Sequence, residues 1–412
     1  NLEILNYKTP MEYRRFGKTE KMLSVITLGG MRFKHGWEEP RHEIPTDTLE
    51  QCREMVQLAF DAGINHIESA WGYRKSETAY GKVLNEELKI PRNSYHLMTK
   101  GHVFTSSEMR EMVEKQLNDL QTDYLDFYGW HGINNDEVFQ QACKTGGAVE
   151  ELLKMKEEGI IRHVGFSTHA PLHTIIAAIE TGMFEFVNLH YYYFNQRNEK
   201  AVEAAKNRDM GVFIISPNDK GGQLFYAPRK VREATHPLSP IQWNARFCLQ
   251  NRGIHTLSFG MTEASHITEM KGIFPSNWTG QETEIKQKLD SFLQDDPYSG
   301  FDGFELANDP SGINIPEILR LRKLWKCYDM SGFGKYRYKT FEEKGHWLPG
   351  KLAFEENIEK VDLSKVPANI PLKKLLAESH REFYIPPRLK DSVFTLIKKG
   401  KLKLKAFSKT KF

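Results

Sequence analysis

Eight short apolar segments, each followed by a longer amphipathic one, predict that residues 24–272 fold into a (β/α)8 barrel. Strands that alternate with helices have to pair in parallel, because each helix returns the chain to the same end of the sheet. A doubly wound sheet is the competing fold. It would carry a GxGxxG motif after its first strand, and residues 28–36, LGGMRFKHG, do not contain one.

The individual elements follow from apolar runs and from helix start and stop signals. The first strand, 24–30, precedes a helix over 46–63 that starts with Thr and Asp and stops at Gly63. The other strands are predicted over 65–69, 95–100, 124–130, 161–167, 184–190, 211–216 and 254–260. Their helices are predicted over 76–88, 106–120, 147–159, 171–182, 198–209, 240–250 and 263–272.

Three connecting segments complete the predicted barrel. Residues 12–25, EYRRFGKTEKMLSV, precede the first unit and are predicted to form a hairpin that caps the bottom of the barrel. Residues 132–147 and 218–240 follow the fourth and seventh strands and are predicted to be long loops. Long loops at the carboxyl ends of strands usually line a site, so we expect both to shape the pocket.

The composition excludes several classes of function. The chain has 412 residues and a net charge of +3, which indicates no nucleic acid partner. Its four cysteines are far apart and form no CxxC pair, which disfavours a metal site and a secreted disulfide framework. No apolar run of about 18 residues predicts a membrane span. We therefore expect a cytoplasmic protein without stable membrane association.

The last fifteen residues, 398–412, carry seven lysines and no acidic residue. Such a run is typical of a solvated terminal tail. A weak tether to an anionic surface is the alternative, and the alternation of Lys with Leu leaves an edge strand open as well.

Four ionisable side chains follow three neighbouring predicted strands. Glu68 and Tyr73 follow the second strand, Lys100 ends the third and His131 follows the fourth. A single Lys or His after a strand is usually a solvated loop residue. Four such groups at the carboxyl end of a barrel, where barrel enzymes carry their active sites, indicate one common site.

The chemistry of these four groups suits proton transfer to a carbonyl. A free phenol has a pKa of about 10, and a nearby ammonium lowers that pKa by favouring the phenolate. A carboxylate can hold the ammonium in place, and a His can orient a carbonyl oxygen beside the phenol. The set therefore suits protonation of a carbonyl oxygen while a hydride arrives at the carbon. Farther along, residues 259–266, FGMTEASH, open a helix whose backbone N–H groups suit a phosphate.

These motifs, in this order, resemble the aldo-keto reductase superfamily. They are ITLGGMRF, GINHIESAWGY, LMTKG, DYLDFYGWHG, EEGIIRHVGFSTH and GVFIISP, and the resemblance covers residues 11–275. It implies an NAD(P)H-dependent reductase of a small carbonyl compound, an aldehyde or ketone. It also implies that Tyr73 donates the proton, that Lys100 tunes the phenol and that His131 orients the substrate. Glu68 stands where the family has Asp: either its link to Lys100 survives the extra methylene, or the lysine is displaced.

The resemblance further implies a set of cofactor-binding residues. The family stacks an aromatic residue on the nicotinamide where this chain has Ile215. It holds the carboxamide with Ser, Asn and Gln, where this chain has Ser167, Thr168 and Asn188. NADPH is the family's usual cofactor, but residues 260–270 offer no Lys or Arg to its 2′-phosphate, so NADH stays open. The implied cofactor residues are Gly30, Met31, Ser167, Thr168, Asn188, Ser216, Gly260, Met261, Thr262 and His266.

The remaining residues, 276–412, resemble the ferredoxin-like C-terminal appendage of a bacterial branch of this family. The similarity lies in NDPSGINIPEILRL and SKVPANIPLKKLLAESHREF. Neither stretch keeps cysteines at ligand spacing, and a 4Fe–4S cluster needs four thiolates. We therefore expect a barrel over 1–275, and over 276–412 a helical appendage without a cluster or metal. It would pack against the barrel or cover its mouth.

Two functions remain open from the sequence. The first is the reductase. The second is a nucleotide-binding scaffold or regulator of the same fold, weakened in catalysis by Glu68, Thr168 and Ile215. Electron transfer through a cluster is a third function, which the cysteine count disfavours.

Overall fold

A computed structural model describes residues 11–34, 40–219, 222–342 and 350–386. The chain divides into two compact units, Asn1–Ser291 and Phe292–Phe412. The basic tail, 398–412, lies outside the described residues, and the division after residue 275 stays a prediction. No helix within the described ranges combines the length and the apolar character that crossing a bilayer requires.

A two-stranded antiparallel hairpin precedes the barrel, as predicted. Its strands are β1 (Tyr13–Arg15) and β2 (Met22–Ser24), and Arg14 lies opposite Leu23. Between them, Phe16 is fully buried, and its ring meets that of Phe127 edge-on with 5.3 Å between centroids. The hairpin therefore inserts an aromatic ring into one end of the barrel interior, which closes that end by packing.

Eight parallel strands close into a barrel in the order β10-β3-β4-β5-β6-β7-β8-β9, which confirms the predicted fold. The closing pair is β10 with β3, in which Leu257 lies opposite Ile26. In chain order, the strands are β3 (Ile26–Gly29), β4 (His66–Glu68), β5 (His96–Gly101), β6 (Leu125–His131), β7 (Ile161–Ser167), β8 (Phe186–Leu189), β9 (Gly211–Ile215) and β10 (Thr256–Phe259).

The barrel interior contains an apolar cluster, next to which His66 and Thr27 are buried and hydrogen bonded to each other. Phe16, Leu23, Met98, Phe127, Phe186 and Phe213 form one fully buried cluster, against which Ile215 packs. The polar residues that follow these strands lie at the carboxyl ends of the barrel strands. The apolar cluster thus supports a polar rim above it.

Helices follow the barrel strands, and local capping explains several of their starts. Thr105 and Glu108 form a reciprocal capping box at one helix, and Ser239 with Gln242 forms another just before Pro240. The helices of the first unit are α1 (Thr46–Asp61), α2 (Ser76–Lys82, extended by a π-helical turn Val83–Glu87), α3 (Ser106–Leu120), α4 (Asp136–Cys143), α5 (Ala148–Glu157), α6 (Leu172–Glu180), α7 (Glu199–Asn207), α8 (Arg229–Thr235), α9 (Pro240–Gln250), α10 (Ala264–Lys271) and α11 (Gly280–Ser291).

The two segments predicted to be long loops contain helices, so that part of the prediction is wrong. Residues 132–147 hold α4, whose first turn is capped because Asn135 Oδ1 accepts from the backbone N–H of Val138 at 2.8 Å. Residues 218–240 hold a 3-10 turn, Gln223–Tyr226, and α8, whereas 220–221 lie outside the described residues. Both helices are two turns long, too short for an apolar period to be visible in the sequence.

The second unit is helical where it is described, as predicted. It contains α12 (Ile315–Tyr328), α13 (Ser331–Tyr338), α14 (Glu355–Ile358) and α15 (Leu372–Phe383). Glu317 is fully buried and accepts hydrogen bonds from Arg320 at 2.7 Å and from Arg337 at 3.0 Å. This charged group sits inside the unit rather than on its surface, and each buried ion is hydrogen bonded. The ferredoxin-like descent of this unit stays a prediction.

Candidate active site at the carboxyl end of the barrel

The structure brings the four ionisable residues of the sequence motif together at three adjacent strands. Glu68 is the last residue of β4, Lys100 lies near the end of β5 and His131 is the last residue of β6. Tyr73 closes a 3-10 turn, Trp71–Tyr73, that follows β4 directly. Because the strands run in parallel, their carboxyl ends meet at one rim and the four side chains face each other there.

Glu68 and Lys100 form a buried ion pair. Their side chains are 4% and 1% exposed, and the Lys100 ammonium also donates to the carbonyl of Ser69 at 2.8 Å. Burial lowers the pKa of Lys100, although the Glu68 carboxylate acts in the opposite direction. Ser258 donates to the second Glu68 oxygen, Oε2, at 3.3 Å. The longer acidic side chain therefore reaches the lysine in this fold. Both ions are buried, and each has hydrogen-bond partners within the protein.

The Tyr73 hydroxyl is directed at the same carboxylate. It donates to Glu68 Oε1 at 3.2 Å, while the Lys100 ammonium lies 4.9 Å from the centroid of the Tyr73 ring. Burial and the Glu68 carboxylate raise the pKa of Tyr73 well above its usual range. We expected the ammonium to lower this pKa. The direction is the opposite because burial disfavours the phenolate and because the Glu68 carboxylate repels it and accepts the phenol hydrogen bond.

His131 stands beside the phenol. The two rings meet edge-on, with 6.0 Å between the centroids of Tyr73 and His131. The backbone turns sharply after His131: Gly132 has φ +90 and donates to the Ser167 side-chain oxygen at 3.0 Å. A residue with a side chain would be strained in this left-handed region. The glycine therefore fixes the direction in which the chain leaves the rim.

Ser167 and Thr168, expected to bind a nicotinamide carboxamide, use their hydroxyls within the protein. Thr168 donates to the carbonyl of Ile133 at 2.6 Å and accepts from the N–H of Ala170 at 3.0 Å. Ser167 accepts from Gly132, as described above. Both hydroxyls hold the loop that follows β6, but only Thr168 uses its O–H for this; the Ser167 hydroxyl accepts and can still donate.

Asn188 behaves differently. It is fully buried on β8, and its amide nitrogen lies 3.3 Å from the sulfur of Met98. Its side-chain oxygen, Oδ1, has no hydrogen-bond partner in the part of the chain that the structure describes. A buried acceptor without a partner costs roughly 1–3 kcal/mol. The amide N–H groups of a nicotinamide carboxamide fit this orphaned oxygen, and the apolar Ile215 at the end of β9 fits a ring.

The other implied cofactor residues lie around the same rim. Gly30 begins a 3-10 turn after β3, and a Cβ atom there would lie 2.1 Å from Ser76 Oγ. Met31 follows it in the same turn and is partly exposed, and Ser216 follows β9 with a left-handed φ of 49. Gly260 and Met261 follow β10, the first exposed and the second buried.

The first turn of α10 is partly occupied by a side chain of the protein itself. The N–H of Thr262 donates to His266 Nδ1 at 3.1 Å, and the His266 ring lies 4.6 Å from that of Phe225. Burial lowers the pKa of His266. A phosphate that binds this N–H therefore has to displace the His266 imidazole. At Asn188, by contrast, the described residues leave the side-chain oxygen without a partner.

Comparison with known proteins places the barrel in a family. Residues 25–226 match the model of the aldo/keto reductase family. L-galactose dehydrogenase of Arabidopsis thaliana is 23% identical over 321 residues, which are 69% of this chain and 95% of that protein. D-arabinose 1-dehydrogenase of Saccharomyces cerevisiae is 28% identical over 153 residues, 35% of this chain and 43% of that protein.

Solved structures agree in fold. The holo form of the aldo-keto reductase AKR11C1 from Bacillus halodurans superposes with a TM-score of 0.56 and 19% identity, over 68% of this chain and 96% of that one. An aldo/keto reductase from Brucella melitensis gives a TM-score of 0.53 and 18% identity, over 68% and 98%.

The barrel belongs to the aldo-keto reductase superfamily. Members of this superfamily are oxidoreductases that use a nicotinamide cofactor to reduce carbonyl compounds. Within the described ranges, no group of three or more His, Cys, Asp or Glu side chains is placed to hold a metal ion.

The sequence analysis missed one cation at the mouth of this aldo-keto reductase barrel. Arg32 ends the turn after β3 and is exposed, and its stem lies over Gly260, where an added Cβ would be 2.5 Å from Arg32 Cγ. Its charge acts on the Tyr73 hydroxyl by lowering the pKa of that group, against the larger raising effects. No carboxylate of the described residues forms an ion pair with Arg32. A cation two residues beyond a strand end was the signal available in the sequence.

Proposed function

We propose that the chain reduces the carbonyl group of a small aldehyde or ketone with NAD(P)H, and that Tyr73 is the proton donor. The observation that carries this proposal is the contact series from Tyr73 to Glu68 to Lys100 at the carboxyl rim of the barrel. The phenol is protonated, lies next to a buried ion pair and faces His131.

The proton step uses side chains that already touch one another. The O–H bond of Tyr73 breaks and a new O–H bond forms on the carbonyl oxygen of the substrate, which leaves a phenolate. Before this step, the phenol has to exchange its hydrogen bond to Glu68 for one to the substrate. The Lys100 ammonium, 4.9 Å from the ring, then stabilises the phenolate electrostatically. Glu68 keeps that ammonium charged despite its burial.

Residues at the neighbouring strand ends would hold the cofactor. Asn188 would pair with the carboxamide through its orphaned oxygen, and Ile215 would contact the ring. When bound, the reduced nicotinamide supplies the hydride to the carbonyl carbon. NADPH is the cofactor we propose, because it is usual in the family, although Thr262, Ser265 and His266 replace a cation at the place of its 2′-phosphate. His131 would direct the carbonyl oxygen towards Tyr73.

The role of Tyr73 depends on whether its hydroxyl group carries a proton. A general acid has to be protonated and a general base has to be deprotonated at the working pH. Because burial and Glu68 raise the pKa of Tyr73, the phenol is ready to act as an acid at neutral pH. We therefore propose that Tyr73 supplies the proton when the carbonyl is reduced. Two relatives are named as sugar dehydrogenases, so the substrate panel includes L-galactose and D-arabinose with the oxidised cofactors.

We also propose that Arg32 binds an anionic group in the mouth. Its stem is fixed against Gly260, and its guanidinium group is close enough to act on the Tyr73 hydroxyl. A guanidinium group recognises carboxylate and phosphate oxygens with two parallel hydrogen bonds. The anion is either a phosphate of the cofactor or an acidic group of the substrate.

Replacement of Tyr73 by Phe tests the proton donor. We expect kcat to fall by about 10²–10⁴ and the dissociation constant of NADPH to stay within about twofold, because Phe keeps the ring that packs beside His131. Steady-state kinetics on a panel of aldehydes and ketones measures the first effect, and quenching of protein fluorescence by NADPH measures the second.

Tyr226→Phe, which changes an exposed tyrosine, is the matched control and should leave both values unchanged. Wild-type turnover in Tyr73→Phe would rule out the proton donor. Binding of NADPH by the wild type with no turnover on any carbonyl would favour the alternative, a nucleotide-binding scaffold. The engaged hydroxyl of Thr168 is the observation that keeps this alternative open.

A further inference from the structure

A cavity of about 450 Å³ opens at the amino end of the barrel, on the side opposite to Tyr73. Its walls come from three places that are distant in sequence: the hairpin strand β1, the end of α7 with the segment that leads to β9, and the segment between α9 and β10. The side chains that matter are Arg14, Arg15, Lys206, Asp209, Arg252 and His255. Four cations in this cavity thus face a single carboxylate.

The carboxylate is already used. Asp209 accepts two parallel hydrogen bonds from Arg15, at 2.6 and 2.9 Å, and Arg15 also donates to Glu20 at 2.6 Å. Lys206 and Arg252 are exposed and form no ion pair with any carboxylate of the described residues. Each therefore brings an uncompensated positive charge to the cavity.

Arg14 is held rigidly at the same wall. Its guanidinium group donates to the backbone carbonyls of Leu249 and Ile254, each at 2.5 Å. Burial and the positive charge of Arg252 lower the pKa of Arg14 to about 10, which Glu12 offsets only in part. The fold thus fixes one cation next to another without a carboxylate between them, and this repulsion would be relieved by a bound anion.

His255 adds a neutral donor to the cavity. Its Nδ1 atom accepts the N–H of Val212 at 2.9 Å, so the ring proton is on Nε2. Burial and the charge of Arg14 lower the pKa of His255 to about 4, so the ring is neutral at neutral pH. The cavity therefore offers guanidinium, ammonium and imidazole N–H donors, and both oxygens of Asp209 already accept hydrogen bonds from Arg15.

We propose that this cavity binds a small phosphorylated molecule, through a phosphate ester or pyrophosphate group. Guanidinium groups match phosphate oxygens in geometry, and a group with two or more negative charges matches the excess of cations. Ligand cavities in proteins run from roughly 300 to 1,000 Å³, so the volume admits a ligand larger than one phosphate ion. The site is separate from the proposed reductase site and does not depend on it.

Titration of the full chain with pyrophosphate tests the proposal. Isothermal calorimetry at constant ionic strength, with chloride as the reference anion, should show one site, and pyrophosphate should raise the melting temperature. In Lys206→Glu/Arg252→Glu we expect pyrophosphate to bind at least tenfold more weakly. Both side chains are exposed and have no ion-pair partner, so the variant should fold, which circular dichroism checks.

The matched control is Lys200→Glu/Lys271→Glu, which makes the same change in net charge. Lys200 lies on the same helix as Lys206, and neither control residue lines the cavity. We expect the control to bind within about twofold of the wild type. Absence of pyrophosphate binding by the wild type, or equal weakening in both double variants, would overturn the proposal. A glucose 6-phosphate titration then shows whether a phosphate ester suffices or a pyrophosphate group is required.

Discussion

The two ends of the barrel treat positive charge in opposite ways. At the carboxyl end, Lys100 is buried and paired with Glu68, and the Tyr73 hydroxyl donates a hydrogen bond to the same carboxylate. At the amino end, Lys206 and Arg252 are exposed beside Arg14, and neither forms an ion pair with a carboxylate in the described part of the chain. A compensated, desolvated ion pair can tune a reacting group without attracting ions, whereas an uncompensated cluster of cations attracts them.

The difference also shows where the fold depends on charge. Loss of one partner of a buried pair leaves an ion without solvent or counter-charge, which is costly. Loss of a cation from a solvated cluster removes repulsion and costs little. Charge changes at the two ends should therefore differ in both the size and the kind of their effect.

Lys100→Met should give the largest effect on stability. The change leaves the Glu68 carboxylate buried and unpaired, so we expect the free energy of unfolding at neutral pH to fall by about 3–5 kcal/mol. Glu68→Gln/Lys100→Met removes both charges and should recover most of the loss. Lys115→Met breaks an exposed pair with Glu111 and should cost less than about 1 kcal/mol. Urea unfolding measures all three, and equal losses for Lys100→Met and Lys115→Met would contradict the buried pair.

Arg32→Gln should weaken binding of an anionic partner at the carboxyl end. A hydrogen bond to a charged group contributes roughly 1.5–3 kcal/mol, so we expect a loss of about tenfold or more. If the anion belongs to the cofactor, the dissociation constant of NADPH rises, whichever substrate is used afterwards. If it belongs to the substrate, the KM rises for acidic carbonyl compounds and not for neutral ones. Lys34→Gln, which breaks an exposed pair with Asp47, is the control, and an unchanged pair of constants in Arg32→Gln would refute this role.

Glu68→Asp should change the pH dependence of the reaction. The shorter carboxylate draws away from the Tyr73 hydroxyl, so one of the two causes that raise the pKa of Tyr73 is weakened. Reduction needs the protonated phenol, and its rate is lost as pH rises through that pKa. The alkaline limb of kcat/KM should therefore move to lower pH in Glu68→Asp. A limb that stays in place or moves to higher pH would show that Glu68 does not control the phenol.

Asp209→Asn should give the smallest effect on stability and the most direct view of the amino end. The Arg15–Asp209 pair is about half exposed, so its loss should cost less than about 1 kcal/mol. Asp209 has a left-handed φ of 51, which Asn also tolerates. Removal of the carboxylate should tighten pyrophosphate binding in the calorimetric titration. Weaker binding in this variant would mean that Asp209 organises the cavity rather than opposing the anion.

Much of the barrel could be predicted because its signals are local. The alternation of apolar runs and amphipathic helices is visible within each unit, and the carboxyl ends of parallel strands have to meet. The sequence therefore predicts Glu68, Lys100 and His131 at the carboxyl ends of neighbouring strands, where they lie in the structure. The helix α4 was missed because its eight residues carry too short a period, although Asn135 offered a capping signal.

Other features of the site depend on partners that the sequence does not name. Ser167 and Thr168 were expected to face the cofactor, yet their hydroxyls bind the backbone that follows β6. Asn188 has its amide nitrogen against the sulfur of Met98, and among the described residues its side-chain oxygen has no partner. The raised pKa of Tyr73 depends on which carboxylate oxygen the phenol meets, a matter of ångströms between side chains.

The sequence alone determined the closed parallel barrel, the helical character of the second unit and the strand ends at which ionisable groups gather. These properties follow from hydrophobic period and chain connectivity, which each segment carries by itself. The tertiary structure decided that Glu68 joins both Lys100 and Tyr73, and that Arg14, Lys206 and Arg252 share one cavity. The interaction between two charges depends on the distance between them. These residues are far apart in the chain, so only the packed fold sets that distance.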